Sequence, residues 1–430
     1  MRDDKPLPNI RHLRAVSEVA ALKNISAAAE RVFLSQSALT QAIAKLENAL
    51  GCKLFQRRPT GLVPTNEGKL FLQRVNRCLY LLQQGVREAL RSGKIKNDQP
   101  HPSEHPTQLL TNAQLKALIA LQRASSFSSA ARALNISQPA VYKAAHDLEN
   151  NLNLKLFEST HAGVRLTDAA QGLARFSRLA LREIELGFDE LSSLTGNDTT
   201  TIAVGVVPLA RTNVLPEAVN RLTELKPELS VFIIDGAYED LLMQLLNGDL
   251  DILIGPLMDP APSDTLVQLP LFNTTMSVVA RQGHPLADRE GLIADDLEGY
   301  RWVLPRPGTP ARAFFNQAIA QRDPSALQGA VESGSQIVTR EILAGSDRIS
   351  FLSSYQIRHD QRAGLLTVLD IDLPSPRQTI VMALRKEWHP TPPHLLFISI
   401  IKNLSQRESP DAPDVELDSL ISGADDAHSR

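Results

Sequence analysis

Apolar residues recur at helical spacing from the start of the chain. Ile10, Leu13, Val16 and Val19–Ala20 fall three to four apart and predict a first amphipathic helix. A short, Ala-rich second helix is expected over Ala27–Val32, with Ser26 as its N-cap. After a Phe33–Leu34 turn, Ser35 is placed to cap a third helix that runs to Leu50 and buries Leu39, Ile43, Leu46 and Leu50. Its other face carries Gln36, Ser37, Thr40, Gln41, Ala44 and Lys45, side chains that are short or hydrogen-bonding. Lys53 to Thr65 then reads as two short extended segments around a turn at Gly61, a β-wing. Phe71, Val75, Leu79, Leu82, Val86 and Leu90 continue as one long helix.

The same pattern returns 102 residues later without a gap. Ser35-Gln36-Ser37-Ala38-Leu39 aligns with Ser137-Gln138-Pro139-Ala140-Val141, and Leu46-Glu47-Asn48 with Leu148-Glu149-Asn150. Lys53-Leu54-Phe55 aligns with Lys155-Leu156-Phe157, and Gly61 and Thr65 with Gly163 and Thr167. One register kept over fifty residues is a duplicated domain. The second copy closes on its own long helix, with a seam at Leu173, Phe176, Ala180, Ile184, Phe188 and Leu191.

From Thr200 the period changes. Thr201–Val207, Ser230–Asp235 and Asp251–Gly255 read as strands, with helices at Pro208–Leu225 and Tyr238–Leu246 between them. This β-α-β-α-β alternation predicts a mainly parallel sheet.

Composition then fixes the class. At 43% hydrophobic and 22% charged, the 430 residues suit a globular protein of several domains. No run of eighteen apolar residues is present to span a membrane, and Met1–Pro6 lacks the apolar core of a signal peptide. Cys52 and Cys78 are the two cysteines, too few for a disulfide framework, which points to a cytoplasmic protein. The overall charge of −3 conceals an asymmetry. Residues 1–96 carry 17 basic and 7 acidic side chains; residues 197–430 carry 19 and 31. A basic block on an acidic body implies a polyanion bound at one end.

On these residues a resemblance becomes specific. Ala28-Ala29, Leu34-Ser35-Gln36-Ser37-Ala38-Leu39-Thr40, Ile43, Leu46-Glu47, Leu50-Gly51, Leu54-Phe55 and Arg57 together resemble the signature of LysR-type transcriptional regulators. Gly248-Asp249-Leu250-Asp251-Ile252 and Gly283-His284-Pro285-Leu286-Ala287 resemble that family's effector domain. The resemblance implies a multidomain fold: two all-α/winged helix-turn-helix domains followed by an α/β two-lobed, periplasmic-binding-protein-like domain. The boundaries expected are a first winged domain at 7–66, its linker helix at 67–92 and a flexible linker at 93–108. A second winged domain follows at 109–168, with its own linker helix at 169–195. The effector domain spans 199–405, lobe I at 199–274 and 376–405 and lobe II at 275–375, before a disordered acidic tail at 406–430.

The resemblance also implies roles. Ser26, Gln36, Ser37, Thr40, Gln41, Lys45, Arg57 and Arg58 would contact double-stranded operator DNA, and the linker helix would pair two subunits into a dimer or tetramer. In the second copy, Thr40 and Gln41 become Tyr142 and Lys143, Ala44 and Lys45 become His146 and Asp147, and Arg57-Arg58 becomes Ser159-Thr160. Gln138, Tyr142, Lys143 and Arg165 remain as secondary contacts. This copy either extends the operator weakly or is a degenerate copy retained for dimerisation and spacing. A small-molecule effector of unspecified identity is expected near Leu209, Ala210, Arg211, Tyr238, Pro305, Arg306, Thr309, Ser333 and Ser335, where helix N-termini favour anions. Arg211 or Arg306 would pair a carboxylate.

An enzyme or a solute receptor is the alternative. His284 and His389 each sit beside a proline, and no Ser-His-Asp, HExxH or P-loop pattern accompanies them, so they read as solvated loop histidines. No catalytic residue, metal or cofactor is expected.

Overall fold

The computed structural model describes residues 7–96, 106–124, 126–161, 163–194, 196, 198–373 and 377–408. Of the tail expected at 406–430, residues 406–408 belong to a helix, Pro392–Glu408, and the rest lies outside the described residues, as does the 97–105 part of the linker. The chain forms two compact units: residues 1–201 with 228–230 and 246–249, and the remainder.

The first unit holds both winged copies. In copy 1, α1 (Ile10–Leu22), α2 (Ile25–Arg31) and α3 (Gln36–Leu50) lead into an antiparallel wing, β1 (Phe55–Arg58) and β2 (Gly61–Pro64), and then α4 (Asn66–Ser92). Copy 2 repeats this as α5 (Asn112–Arg123), α6 (Phe127–Leu134), α7 (Gln138–Leu152), β3 (Phe157–Thr160), β4 (Gly163–Leu166) and α8 (Asp168–Leu194). Each α3-type helix starts at a serine cap: Ser35 accepts from Ala38 N–H and Ser137 from Ala140 N–H. The second helix does not start where its sequence suggested. Asn24, not Ser26, is the cap, because its carboxamide oxygen accepts from both Ser26 and Ala27 N–H. Ser26 is the second residue of the helix.

Both copies use one device to hold the wing. The carboxylate of Glu47 accepts from Leu54 and Phe55 N–H, and that of Glu149 from Leu156 and Phe157 N–H. Each glutamate is buried, so its two backbone donors offset the cost of burying charge. One continuous apolar core then runs through both copies, from Ile10 and Val16 across Phe71 and Leu82 to Leu115, Leu148 and Leu173.

The segment expected to be a solvated linker is partly bound. Lys96 N–H donates to Asn153 C=O at 3.0 Å and Lys155 N–H to Lys94 C=O at 2.9 Å, so the chain leaving α4 pairs with the end of α7. Ile95 forms a bridge with Leu154 there.

The second unit is α/β. Its elements are β5 (Thr201–Val206), α9 (Val214–Leu225), β6 (Ser230–Asp235), α10 (Tyr238–Leu246), β7 (Ile252–Pro256) and β8 (Leu266–Arg281). Then come β9 (Trp302–Leu304), α11 (Pro310–Phe315), β10 (Val331–Glu332), α12 (Gln336–Ala344), β11 (Ile349–Ser353) and α13 (Arg358–Arg362). The chain ends in β12 (Leu366–Val368), β13 (Arg377–Arg385) and α14 (Pro392–Glu408). The helix expected over Pro208–Leu225 is broken: a 3-10 turn at Pro208–Ala210 precedes α9, and Asn213 between them has φ +60°.

The sheet is more mixed than expected. β5 and β7 are parallel, as are β9 with β10 and β11. β8 and β13, however, run antiparallel to each other and β13 antiparallel to β7. β13, which returns from the end of the chain, lies between β7 and β8 and runs against both. β8 is long enough to serve both halves. Its first ten residues pair with β13, and its last six pair with β11 and β12.

Candidate nucleic-acid interface and effector cleft

On α3, the alternation of buried Leu39, Ala42, Ile43 and Leu46 leaves Gln36, Ser37, Thr40, Gln41, Ala44 and Lys45 exposed along one face. Thr40 donates its hydroxyl back to Gln36 C=O at 2.9 Å, which fixes its side chain against the helix. On the wing, Gln56, Arg57 and Arg58 are exposed, and neither arginine forms an ion pair with a described residue. Positive charge is concentrated here. Burial, then Lys45 and Arg11, hold the His12 imidazole below its usual value. Ser26 is exposed in the first turn of α2. Thus α3 and the wing gather seven of the eight primary candidates into exposed positions.

The wing is seated on α1 through Gly61. Its φ is +110°, and a Cβ there would stand 2.3 Å from Lys23 C=O, which accepts from Leu62 N–H. Only glycine fits that approach.

Copy 2 has the same skeleton and a different surface. Gln138 accepts a hydrogen bond from Ser128 at 2.7 Å. Tyr142, 52% exposed, packs between Phe127 and His146, and His146 lies 2.9 Å from Glu149. Lys143 is exposed. Arg165 is neutralised across the wing by Glu158 at 3.2 Å, a pair that Gln56 and Val63 replace in copy 1.

In the second unit, hydrogen bonds string most of the effector candidates together. Ser333 N–H donates to Leu304 C=O at 2.9 Å, and Ser335 N–H to the Ser333 hydroxyl at 3.1 Å. Thr309 caps α11 and Ser335 caps α12. Gln336 donates to Gln356 C=O at 2.8 Å, and Gln356 donates to Pro208 C=O at 3.1 Å. The loops carrying Leu209–Arg211, Pro305–Thr309 and Ser333–Ser335 therefore border one another. Leu209 packs toward the Trp302–Phe315 core, while Ala210 is buried. Tyr238 lies over Gly255 beside Val207, with burial pushing its phenol up. Arg211 pairs with Asp235 at 3.0 Å, whereas the Arg306 side chain lies along Gly334. A hollow of about 370 Å³ opens at Pro307, Gly308, Thr309, Arg312 and Asn316. It meets the candidate segment 305–309 alone.

Sequence reasoning missed Gln336, Tyr355 and Gln356, which tie these loops. The Tyr355 hydroxyl accepts from Val214 N–H at 2.9 Å and its ring stacks on Phe272. Nothing periodic marks them. His284 was misread as solvated: it is 3% exposed, accepts from Leu286 N–H at Nδ1 and lies 3.2 Å from Asp347 C=O at Nε2. His389 is partly buried. Among the described residues no helix is long and apolar enough to cross a membrane, and no cluster of His, Cys, Asp and Glu could hold a metal.

Known proteins share this arrangement. The profile of the bacterial regulatory helix-turn-helix protein, lysR family, matches twice, at residues 10–69 and 113–171, and that of the LysR substrate binding domain at 195–406. The HTH-type transcriptional regulator GalR of Pseudomonas putida is 32% identical over 401 residues, 93% of this chain and 98% of its own. An alignment of that length takes in both winged copies. The regulator PcaQ of Agrobacterium fabrum is 25% identical over 288 residues, 67% of this chain and 93% of its own. Full-length OxyR from Pseudomonas aeruginosa, solved as a variant, has the same fold over 69% of this chain and 95% of its own, with TM-score 0.50 and 20% identity.

Proposed function

Because the chain belongs to the LysR family of transcriptional regulators, we propose that its first winged copy carries the reading of the operator. It is a LysR-type, DNA-binding regulator with an effector-binding domain, and the family is not one of enzymes. Its partners are operator DNA, a small-molecule effector and other copies of itself. Within that frame, Gln36, Ser37, Thr40, Gln41 and Lys45 meet base edges or nearby phosphates, and Arg57 and Arg58 meet the backbone. One observation carries this assignment. The face of α3 and its wing are exposed, polar and basic, whereas the matching surface of copy 2 carries Asp147 and a neutralised Arg165.

Anisotropy titrations on a duplex selected from a random pool test it. Gln41→Ala loses about 1–3 kcal/mol of discrimination between the selected base and its competitors. Arg57→Ala weakens all sequences alike and lowers the salt slope by about one unit. Unchanged specificity in Gln41→Ala removes α3 as the reading helix.

The effector is assigned to the loops at 208–211, 305–309 and 333–335, with Arg306 as the partner of an anionic group, since Arg211 is already paired. Its binding shifts the population of lobe arrangements, and DNA occupancy follows. A thermal-shift series of small carboxylates reads this: the acid that raises the midpoint of the chain loses that effect in Arg306→Ala. A regulator that reads operators works where the chromosome lies, and the cytoplasm is its compartment.

A further inference from the structure

The long helices α4 and α8 pack against each other along their length and run antiparallel. A Cβ added to Gly85 would stand 2.6 Å from Phe176 Cβ and 3.3 Å from Leu173, and one added to Gly187 would stand 3.0 Å from Phe71 and 3.3 Å from Arg74. These contacts are mates under the 102-residue shift: Phe71 with Leu173, Arg74 with Phe176, Gly85 with Gly187. The two copies are therefore related by an approximate two-fold axis, although they belong to one chain. Near that axis Ile10 N–H donates to the side chain of its own mate, Asn112, at 2.9 Å. Asn112 in turn donates to Pro8 C=O, and Arg14 donates to Thr107 and Gln108 C=O, so the entry to each copy is tied to the other.

One cluster breaks the symmetry. Arg74, 5% exposed, reaches Glu183 at 2.8 Å and chelates Glu190, with Arg77 3.4 Å from Glu183. Three of its four mates carry no charge: Arg74 corresponds to Phe176, Arg77 to Leu179 and Glu183 to Leu81, while Glu190 corresponds to Glu88. Pairing α8 with a second α8 would bury Glu183 against a phenyl ring with neither arginine at hand. Pairing α4 with a second α4 would set Arg74 against Leu81 and leave Glu88 as its one acid. Stripping one partner from a buried ion pair is strongly unfavourable, so the charges select α4 with α8 over either like pair.

We propose that one chain is a complete two-headed unit, in which α4 pairs with α8 in cis through the Arg74–Glu183–Glu190 cluster, so that α3 carries the base reading and α7 adds weaker contacts to an unlike adjoining half of the operator. This rests on the reading of the winged copies as DNA-binding. The seam that would join two subunits is filled within the chain, so association between chains uses other surfaces. α3 presents Thr40, Gln41 and Lys45, and α7 presents Gln138, Tyr142 and Lys143, all but Gln138 differing from the residue at the matching position.

Charge reversal in the full chain tests the pairing without reference to DNA. Arg74→Glu is expected to lower the melting midpoint, as is the double variant Glu183→Arg/Glu190→Arg. The triple variant in one chain restores the midpoint, and mixing the two separately folded variants does not. Restoration on mixing means the helices pair between chains and overturns the cis unit; a triple variant as unstable as the single one removes the cluster as the determinant. Selection from a random duplex pool tests the reading. A site of two unlike halves is expected, one relaxed by Gln41→Ala and the other weakened by Lys143→Ala. A perfect inverted repeat overturns the proposal. A pool with no enrichment sinks the DNA-reading assignment itself and leaves the melting result standing.

Discussion

Phe33 ends α2 in the left-handed region, at φ +56°, with its ring 84% exposed. Phe33 N–H donates to Glu30 C=O and Leu34 N–H to Ala29 C=O, and the same pair of bonds closes α6 around Asn135 at φ +52°. Asparagine tolerates that conformation and phenylalanine does not, and here the ring buries nothing in return. Phe33→Asn should therefore stabilise the chain by about 0.5–1 kcal/mol in a denaturant titration; a loss of stability would mean the ring makes a contact the turn geometry hides. His284 is the opposite case, a polar residue placed inside. Burial pulls its imidazole below 6.5, against the Asp347 carbonyl, which raises it. The unfolded chain binds a proton more readily than the folded one, so stability present above pH ~6.5 is lost as the pH falls toward the lowered folded value. His12 acts with the same sign. His284→Asn should flatten the fall in melting midpoint between pH ~7 and ~5, and an equally steep fall would assign it to other groups. The turn at Phe33 was legible from pattern, but the burial of His284 was not: Gly-His-Pro-Leu-Ala spells a turn, and only its packing against Tyr300 and Asp347 shows that the turn lies inside.

At the scale of elements, local rules carried most of the first unit. Ser35 and Ser137 cap where a serine before an apolar period should, and Gly61 turns the wing because φ +110° requires it. Misreadings arose where two caps competed or a helix broke. Asn24 outbids Ser26 because its longer side chain reaches two N–H groups. The α9 start slips to Val214 because Tyr355, 141 residues away, supplies the acceptor for its N–H. Helix pairing depends on close approach. Gly85→Ala gains about 1 kcal/mol of helix propensity yet forces Phe176 aside, for a net loss of about 1–3 kcal/mol in denaturant unfolding. An unchanged midpoint would show that the two helices are looser than the 2.6 Å approach implies.

Across the whole molecule, chemistry is unevenly distributed. Both cysteines lie in the first unit, at positions 52 and 78, and burial raises each thiol, Cys78 most. A thiol held protonated is a poor nucleophile toward oxidants. Although several relatives are hydrogen peroxide-inducible genes activators, operator affinity here should not change on peroxide treatment; a shift abolished by Cys52→Ser would refute this. The basic block in residues 1–96 and the acidic body after 196 were visible as counts, as was the duplication, since both are properties of the chain read in order. So were the amphipathic helices, the wings and the α/β class, because each depends on neighbours within a turn or a strand. The partner of each long helix is different in kind. Nothing in the spacing of α4 marks Arg74 as paired, and its burial is possible only because Glu183 and Glu190 arrive from 109 and 116 residues away. A residue's own periodicity cannot name its counterion. Sequence determined the two winged copies and their surfaces; tertiary structure decided that they pair with each other, through charges that neither copy could bury alone.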